Sequence, residues 1–268
     1  MCRVSVVVPV TGGLSIFGGA DRFVIRPLTW TMMTNFRAFK KFNQGLPSEI
    51  IASTYGLNLA VADRHFPGGG LHAAIVRSLA RSRCIPIKEV VDSFEVFEVV
   101  RRDLRSTTLV DLCCGHGLVG MLMAAFERSV EAVHLCDRKI PDSNVSALEA
   151  VATVAPWITD KVHHHVTKLN YVGEQISFTS ALATHACGHL TDQSIDLAIE
   201  HGCPIAVTPC CYTKRTSKAP TVLQRELGLE IASDTERTVR LHQAGYTVKW
   251  KSIPEVITPM IRVIIATR

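Results

Sequence analysis

The sequence predicts an α/β fold built around a mostly parallel sheet of seven strands. From residue 108 onward, short apolar strand patterns alternate with helical patterns, which is typical of a parallel sheet with helices on both faces. The last two strand patterns, 246–253 and 260–267, are separated by only six residues. That is too short for a helical crossover, so these strands must be antiparallel neighbours. With 268 residues, of which 47% are hydrophobic and 20% charged, the chain can fill a core of enzyme size.

The individual elements follow from the hydrophobic period along the chain. The predicted strands span residues 108–111, 132–136, 162–166, 181–185, 204–208, 246–253 and 260–267. The predicted helices span 118–128, 144–154 and 191–201, followed by helical turns from 222 and after 233. Gly202 is placed to end the third helix, and Ser233 with Glu236 forms a capping box for the last one.

The first part of the chain, residues 1–84, is predicted to be an N-terminal extension, separate from a domain over residues 85–268. Nothing in its sequence indicates a function. Its predicted elements are a hairpin of strands 3–10 and 23–31, helices at 32–44 and 71–82, and a Pro-Gly-Gly-Gly loop at 67–70. A longer helical pattern over 86–104 opens the second domain. It begins with Pro86, which a first helical turn tolerates, and we expect it to pack against the sheet.

Closely spaced glycines follow the first predicted strand of the sheet. Gly115, Gly117 and Gly120 read as GxGxxG, a pattern that lets the backbone turn tightly and approach a bound cofactor. Asp137 ends the next strand, where a carboxylate can accept hydrogen bonds from ribose hydroxyls. Asp111, four residues ahead of Gly115, suits the amino group of S-adenosylmethionine and would repel a pyrophosphate. A nicotinamide-dependent oxidoreductase is the alternative, and the antiparallel C-terminal strands argue against it.

Three sequence blocks carry a family resemblance: Asp-Leu-Cys-Cys-Gly-His-Gly at 111–117, Thr-His-Ala-Cys-Gly-His-Leu-Thr-Asp at 184–192, and Thr-Pro-Cys-Cys-Tyr at 208–212. They resemble the signature blocks of class I methyltransferases of a family that includes tRNA 2′-O-methyltransferases and the methyltransferase-like domain of the glutathione-transferase C-terminal-domain protein. The resemblance covers residues 85–268 and implies a Rossmann-like fold that binds S-adenosylmethionine. The implied cofactor-binding residues are Asp111, Cys113, Gly115, Gly117, Asp137, His185 and Cys187.

No residue is assigned as the catalyst, because methyl transfer chiefly needs donor and acceptor to be aligned. His185, Cys210 and Tyr212 are the candidates. His185 follows a strand beside the implied methyl group, where lining the pocket and making a structural hydrogen bond are equally open roles. Tyr212 either stacks on the acceptor or packs at the edge of the core. The tRNA enzymes of the family have histidines after their paired cysteines, whereas this chain continues to Arg215 without one, so their general base is not expected here.

The expected methyl acceptor is RNA. Lys214, Arg215 and Lys218 follow the third block, and basic residues at the mouth of a pocket suit a phosphate backbone. The substrate residues are therefore expected to be Cys210, Tyr212, Lys214 and Arg215. A small-molecule or protein acceptor is the alternative, and a non-catalytic scaffold that keeps the fold is the third reading. The sequence favours no oligomeric state.

Nine cysteines, most of them in apolar runs, indicate reduced thiols and a cytoplasmic protein. No apolar run has the roughly 18 residues that a membrane span needs, so no membrane partner is expected.

No metal site is expected either, because no Cys-x-x-Cys occurs and an adjacent pair such as Cys210 and Cys211 does not easily face one ion. Alternation along a strand should send His164 to the face opposite to its two histidine neighbours.

Overall fold

A seven-stranded sheet with the order β3-β2-β1-β4-β5-β7-β6 lies at the centre of the protein. The computed structural model describes residues 35–47, 50 and 56–268. The strands are β1 (Thr108–Leu112), β2 (Ala132–Asp137), β3 (Val162–Val166), β4 (Ser180–Cys187), β5 (Ile205–Cys210), β6 (Thr247–Ser252) and β7 (Arg262–Thr267). Strands β1 to β5 run parallel, and β7 pairs antiparallel with both β5 and β6. The predicted fold class is confirmed.

Helices connect the strands and cover both faces of the sheet. They are α1 (Leu59–His65), α2 (Leu71–Ser82), α3 (Ile87–Val100), α4 (Leu118–Phe126), α5 (Asp142–Val154), α6 (Val172–Gln175), α7 (His189–His201), α8 (Thr221–Leu227) and α9 (Leu229–Gln243). Short 3₁₀ turns add Lys40–Gln44, Pro156–Ile158 and Leu169–Tyr171. Helix α7 ends at Gly202, which has a φ of +66° and so provides the predicted left-handed C-terminal cap. No helix among the described residues combines the length and hydropathy of a membrane span.

Two hydrophobic clusters divide the core between the two faces of the sheet. In β1, Leu109 belongs to the cluster shared with α2 to α5, while Val110 belongs to the cluster shared with α7 and α9. This division is the period-two alternation of a strand that is buried on both faces. Among the described residues before residue 85, most buried apolar side chains join the first cluster, which contains the rings of Phe39, Phe66 and Phe94. The chain from residue 33 to 268 is one compact unit, while the division at residues 84 and 85 stays a prediction.

The predicted helix over 32–44 is wrong in its described part, where only the 3₁₀ turn Lys40–Gln44 is helical. The cause is Glu95 of α3, whose fully buried carboxylate accepts hydrogen bonds from three successive backbone amides at residues 37–39. Amides that point toward one carboxylate cannot donate to the carbonyls of a helix. The predicted hairpin, with strands at 3–10 and 23–31, lies outside the described residues.

The predicted capping box of the last helix is also wrong. Ser233 lies one turn inside α9, where its hydroxyl donates to the carbonyl of Leu229 over 2.7 Å. The helix begins earlier because Gly228, with a φ of +80°, separates it from α8. Similarly, Pro86 precedes the first turn of α3 instead of lying in it.

Candidate functional site

The carboxyl ends of β1, β2 and β4 form the edge of the sheet at which the site lies. Because β2 and β4 flank β1 on opposite sides, the chain connections leave β1 in opposite directions. Such a switch point opens a crevice between the loops, and ligands of open α/β sheets bind there. The loop after β1 carries the glycines, β2 ends at Asp137, and β4 ends with His185 and Cys187 close to the same edge.

The glycine loop is fixed by two side chains from neighbouring elements. Asp137 accepts a hydrogen bond from the Gly115 amide over 3.0 Å, so the carboxylate expected on the ribose also holds the loop. Asn144 of α5 is fully buried and donates to the Gly115 carbonyl over 2.8 Å. Its amide oxygen bonds to His164 of β3 over 2.6 Å, so the middle histidine does face away from its neighbours. Asn144 was not predicted as a site residue, and its only signal in the sequence is that a polar residue lies on the apolar side of α5.

The three glycines have different roles. Gly115 has a φ of +54° and open space where a Cβ would project, so its bare backbone faces a cavity. Gly117 has a φ of +68°, but a Cβ there would lie 2.7 Å from the Asn144 amide and 2.9 Å from a Leu135 methyl. Gly120 has no room either, since a Cβ would meet Leu135 at 2.7 Å. Gly117 and Gly120 therefore allow α4 to pack closely on the sheet, and only Gly115 is exposed to a ligand.

Asp111 is a buried carboxylate at the end of β1. One oxygen accepts a hydrogen bond from the Gly120 amide over 3.2 Å, and the other has no partner among the described residues. Burial raises the pKa of Asp111 to about 7, and the nearby charge of Asp137 adds to this, whereas the Gly120 amide lowers it. An unpartnered buried oxygen is unfavourable unless a ligand supplies a donor.

A first cavity of about 420 Å³ lies between the glycine loop and helix α3. Three buried oxygens among its lining residues, on Asp92, Asp111 and Thr184, have no hydrogen-bond partner in the described structure. Lys88 and Glu89 of α3 also line this cavity. Two carboxylates with free oxygens and a neighbouring lysine suit a ligand group that carries both an ammonium and a carboxylate.

A second cavity of about 610 Å³ lies beyond Asp137, between the ends of β2, β3 and β4. Asp137 and Lys168 contribute polar groups to its wall, and Leu169 contributes an apolar surface. Cys113 and His185 line both cavities, so the two volumes adjoin at these side chains. Burial raises the pKa of Cys113 to about 12, which keeps its thiol protonated at neutral pH.

His185 is held at this junction by Asp92. The Nε2 atom of the imidazole lies 2.9 Å from a carboxylate oxygen of Asp92 on α3. Burial lowers the pKa of His185, but the hydrogen bond and charge of Asp92 outweigh it, so the pKa lies above its ordinary value. With Nε2 donating to Asp92, Nδ1 is the nitrogen free to accept a proton. His185 also has a φ of +55°, a conformation that a non-glycine residue keeps only where its surroundings impose it.

The cysteines at the ends of β4 and β5 come together. The Cys187 sulfur lies 3.1 Å from that of Cys210 and 3.3 Å from that of Cys211. This differs from the expectation that adjacent cysteines point apart. The reason is that Cys211 has left the extended conformation, with a φ of +55°, so alternation no longer applies. Burial raises the pKa of Cys187, and burial together with the neighbouring sulfurs raises that of Cys210.

Tyr212 is placed apart from both cavities. Its hydroxyl donates to Asp234 of α9 over 2.7 Å, and its ring lies beside the guanidinium of Arg237. Arg237 in turn pairs with Asp192 of α7 over 2.9 Å, so Tyr212 belongs to a buried ion-pair network. Burial and the Asp234 charge raise the pKa of Tyr212, so its phenol stays protonated at neutral pH and cannot accept a proton from a substrate. Its position favours the core-edge role over stacking on an acceptor.

Six of the predicted site residues line one or both cavities: Asp111, Cys113, Gly115, Asp137, His185 and Cys187. Gly117 lies beneath the loop, and Lys214 and Arg215 are exposed on the turn after β5. Lys88, Glu89 and Asp92 were not predicted as site residues, although charged residues in an apolar helical pattern were a signal for them.

Comparison with known proteins supports the assignment that this geometry suggests. Residues 86–218 match the sequence model of a family described as a methyltransferase domain. The sheet order, with an antiparallel last strand inserted beside β5, is that of class I methyltransferases. This chain contains a class I methyltransferase domain. The match includes α3 and the strands β1 to β5 of the methyltransferase domain, and so all the residues that line the two cavities apart from Thr258.

Several individual proteins are similar to this methyltransferase domain. A glutathione S-transferase C-terminal domain-containing protein from Xenopus laevis is 31% identical over 105 residues, which span 39% of this chain and 16% of the relative. An rRNA methylase from Streptococcus thermophilus has 11% identity and a TM-score of 0.45, covering 65% of this chain and 95% of its own. A tRNA (uracil-54, C5)-methyltransferase from Pyrococcus abyssi, in complex with S-adenosyl-L-homocysteine, has 13% identity and a TM-score of 0.41, covering 66% and 38%.

Proposed function

We propose that this domain is an S-adenosylmethionine-dependent methyltransferase that acts on RNA. The observation that carries the cofactor assignment is the set of unpartnered buried oxygens in the first cavity, on Asp92, Asp111 and Thr184. An amino-acid ammonium supplies several donors at once, and Lys88 on the same wall would pair with the carboxylate. A pyrophosphate offers acceptors only, so it would leave the free carboxylate oxygens of Asp92 and Asp111 without donors.

The second cavity suits the adenosine part of the same cofactor. One Asp137 oxygen is engaged by the Gly115 amide, which leaves the other to accept from ribose hydroxyls. Leu169 and Val172 provide an apolar wall for the base. Because Cys113 and His185 line both cavities, the sulfonium and its methyl group belong at their junction. Both volumes fall within the range of ordinary ligand sites.

The chain's own contribution to the reaction is orientation and proton acceptance. Bound S-adenosylmethionine supplies an activated methyl group. His185 then accepts the proton that the acceptor atom loses, at Nδ1, while Asp92 stabilises the resulting imidazolium through Nε2. The rigid pairing with Asp92 also fixes the ring, so that the acceptor can be aligned without further movement.

The case for RNA rests on charge near the cavity mouth. Lys214 and Arg215 are exposed on a turn whose Thr216 approaches Gly188 at the start of α7, and Gly188 follows the last residue of β4. Lys168 lines the second cavity, and the chain carries a net charge of +5. Exposed cations around a concave site favour a polyphosphate backbone over a neutral metabolite.

The test is transfer of labelled methyl groups from S-adenosylmethionine to RNA, with protein and metabolite fractions assayed in parallel. Lys214→Ala combined with Arg215→Ala should weaken RNA binding and reduce the slope of log K against log salt by up to about two units. Arg81→Ala combined with Arg102→Ala removes the same charge from other exposed positions and should leave both unchanged. Label incorporated only into protein or metabolites would reject the RNA acceptor while leaving the methyltransferase activity in place.

A further inference from the structure

The thiols of Cys187, Cys210 and Cys211 form a cluster to which the proposed methyl transfer assigns no chemical role, although Cys187 also lines the second cavity. The three sulfur atoms all lie within 4.8 Å of one another. They come from the ends of two neighbouring strands, since Cys187 pairs with Cys210 in the β4–β5 register. Cys211 joins them because its backbone turns left-handed directly after β5. No such cluster of three metal-binding side chains occurs elsewhere in the described residues.

We propose that this thiol cluster binds one zinc ion. Zinc–thiolate bonds of about 2.3 Å place the sulfurs of a tetrahedral site about 3.8 Å apart. The sulfur–sulfur distances of 3.1 and 3.3 Å, from Cys187 to Cys210 and to Cys211, would need to lengthen by less than about 1 Å. Thiolate ligands select zinc over magnesium, calcium and manganese, which prefer oxygen. An ion can reach the cluster from the solvent, since Cys187 and Cys211 are exposed and only Cys210 of the three is buried.

The ligand count indicates what kind of site this is. Three protein ligands leave one position of a tetrahedral zinc free, as in catalytic zinc sites, whereas structural zinc sites are closed by four. Cys187 also lines the second cavity, so the ion would lie at its border, with water or a donor atom of the acceptor completing the tetrahedron. Binding involves no oxidation or reduction: three thiols release three protons to the solvent, and the zinc ion keeps its charge.

The backbone provides an independent reason to expect a ligand here. Cys211 has a φ of +55° without being glycine, a conformation that costs on the order of 1 to 3 kcal/mol. Without that turn its sulfur would point to the opposite face from that of Cys210. The turn brings its sulfur to 3.3 Å from that of Cys187 and within 4.8 Å of that of Cys210. A shared metal ion would supply a bond strong enough to hold this strained turn.

The experiment uses the reduced full-length chain, freed of metal by chelation. Zinc added against a chromogenic chelator should bind at one ion per chain, and cobalt should produce the sulfur-to-metal charge-transfer absorption of thiolate coordination. Cys211→Ser should weaken zinc binding by more than about 100-fold, since even outer-shell changes cost 10- to 100-fold. Cys84→Ser removes a thiol of α2's C-terminal flank, far from the cluster in sequence, and should bind zinc like the wild type.

A second measurement does not depend on a variant that folds. Zinc should protect Cys187, Cys210 and Cys211 of the wild-type chain from alkylation, while Cys84 reacts equally with and without the metal. Equal affinity in the wild type and Cys211→Ser, or cobalt binding without charge-transfer absorption, would overturn the proposal. A reduced chain that binds no zinc, which would mean that the cluster serves only for packing, would overturn it as well. None of these results depends on methyl transfer.

Discussion

Replacing Gly115 and Gly117 separately by alanine should have different consequences, although only one residue separates them. Both have positive φ, at +54° and +68°, so both variants incur the left-handed penalty of roughly 1 to 2 kcal/mol. A Cβ at residue 115 meets nothing within 4 Å, and Gly115→Ala should therefore lower the free energy of unfolding by about that amount alone.

Gly117→Ala carries an additional packing cost. Its Cβ would lie 2.7 Å from the Asn144 amide and 2.9 Å from a Leu135 methyl. Asn144 cannot move away cheaply, because both ends of its amide are hydrogen-bonded, to the Gly115 carbonyl and to His164. Overpacking of this kind adds about 1 to 3 kcal/mol, for a total of about 2 to 5 kcal/mol.

Urea denaturation followed by circular dichroism measures both losses on the same scale. Gly69→Ala is the control, because Gly69 has ordinary φ and open surroundings, and its change should stay within about 0.5 kcal/mol. For S-adenosylhomocysteine affinity we expect the opposite order, with the larger loss in Gly115→Ala. The added Cβ projects into open space beside the cavity and should weaken binding at least about tenfold. Equal stability losses for the two variants would refute the distinction between the exposed and the packed glycine.

Three further changes test other parts of the site. Asp92→Asn should lower the pKa of His185, measured by NMR titration. The acid limb of the methyl-transfer rate should then shift to lower pH and its plateau should fall. An unchanged pKa would mean that Asp92 does not act on His185. Burial raises the pKa of Asp111 to about 7 from an ordinary 3.8, so its carboxyl is largely protonated between these values, while a bound ammonium favours the ionised form. Calorimetric affinity for S-adenosylhomocysteine should therefore rise with pH up to about 7 and then level off, and Asp111→Asn should remove this dependence. Tyr212→Phe removes a hydrogen bond to the Asp234 carboxylate and should lower the free energy of unfolding by about 1 to 3 kcal/mol, with cofactor affinity unchanged. The control Tyr171→Phe, at an exposed position, should leave the free energy of unfolding unchanged. Reduced turnover without lost stability would instead place Tyr212 in the substrate site.

The strand pattern was predictable because each strand of the sheet is a short apolar run between turn residues. The period of two along β6 and β7 and the short connection between them also fixed their antiparallel pairing. The N-terminal segment was not predictable in the same way, since Glu95 reorganises it from 56 to 58 residues away. A hydrophobic period contains no information on which backbone amides a distant carboxylate will bind.

The candidate site was likewise predictable where its residues belong to a local motif, and not where distant parts of the chain meet. Asp111, Gly115 and Asp137 belong to a local motif, and the sequence placed them at the sheet edge together. Asp92 arrives from α3, 93 residues before its partner His185, so only the packed fold joins them. The cysteine cluster was missed for a local reason, because alternation was assumed for Cys210 and Cys211 where the backbone turns.

Lys88, Glu89 and Asp92 line the first cavity but were not predicted as site residues. Helix α3 was read from its apolar positions, which correctly predicted that it packs on the sheet. Its polar residues received no interpretation, yet Asp92 is buried and Glu89 lines the first cavity. Burial and the charge of Asp92 raise the pKa of Glu89. Acidic residues near the start of an otherwise apolar helix therefore deserve a functional interpretation when that helix covers a ligand-binding edge.

The central claim is that the two adjoining cavities hold one S-adenosylmethionine. Isothermal titration calorimetry with S-adenosylhomocysteine tests it most directly, with NAD as the competing ligand. We predict one molecule of S-adenosylhomocysteine bound per chain, no heat with NAD, and a loss of about 1 to 3 kcal/mol of binding free energy in Asp137→Ala. Binding of NAD without binding of S-adenosylhomocysteine, or equal S-adenosylhomocysteine affinity in a folded Asp137→Ala variant, would contradict it.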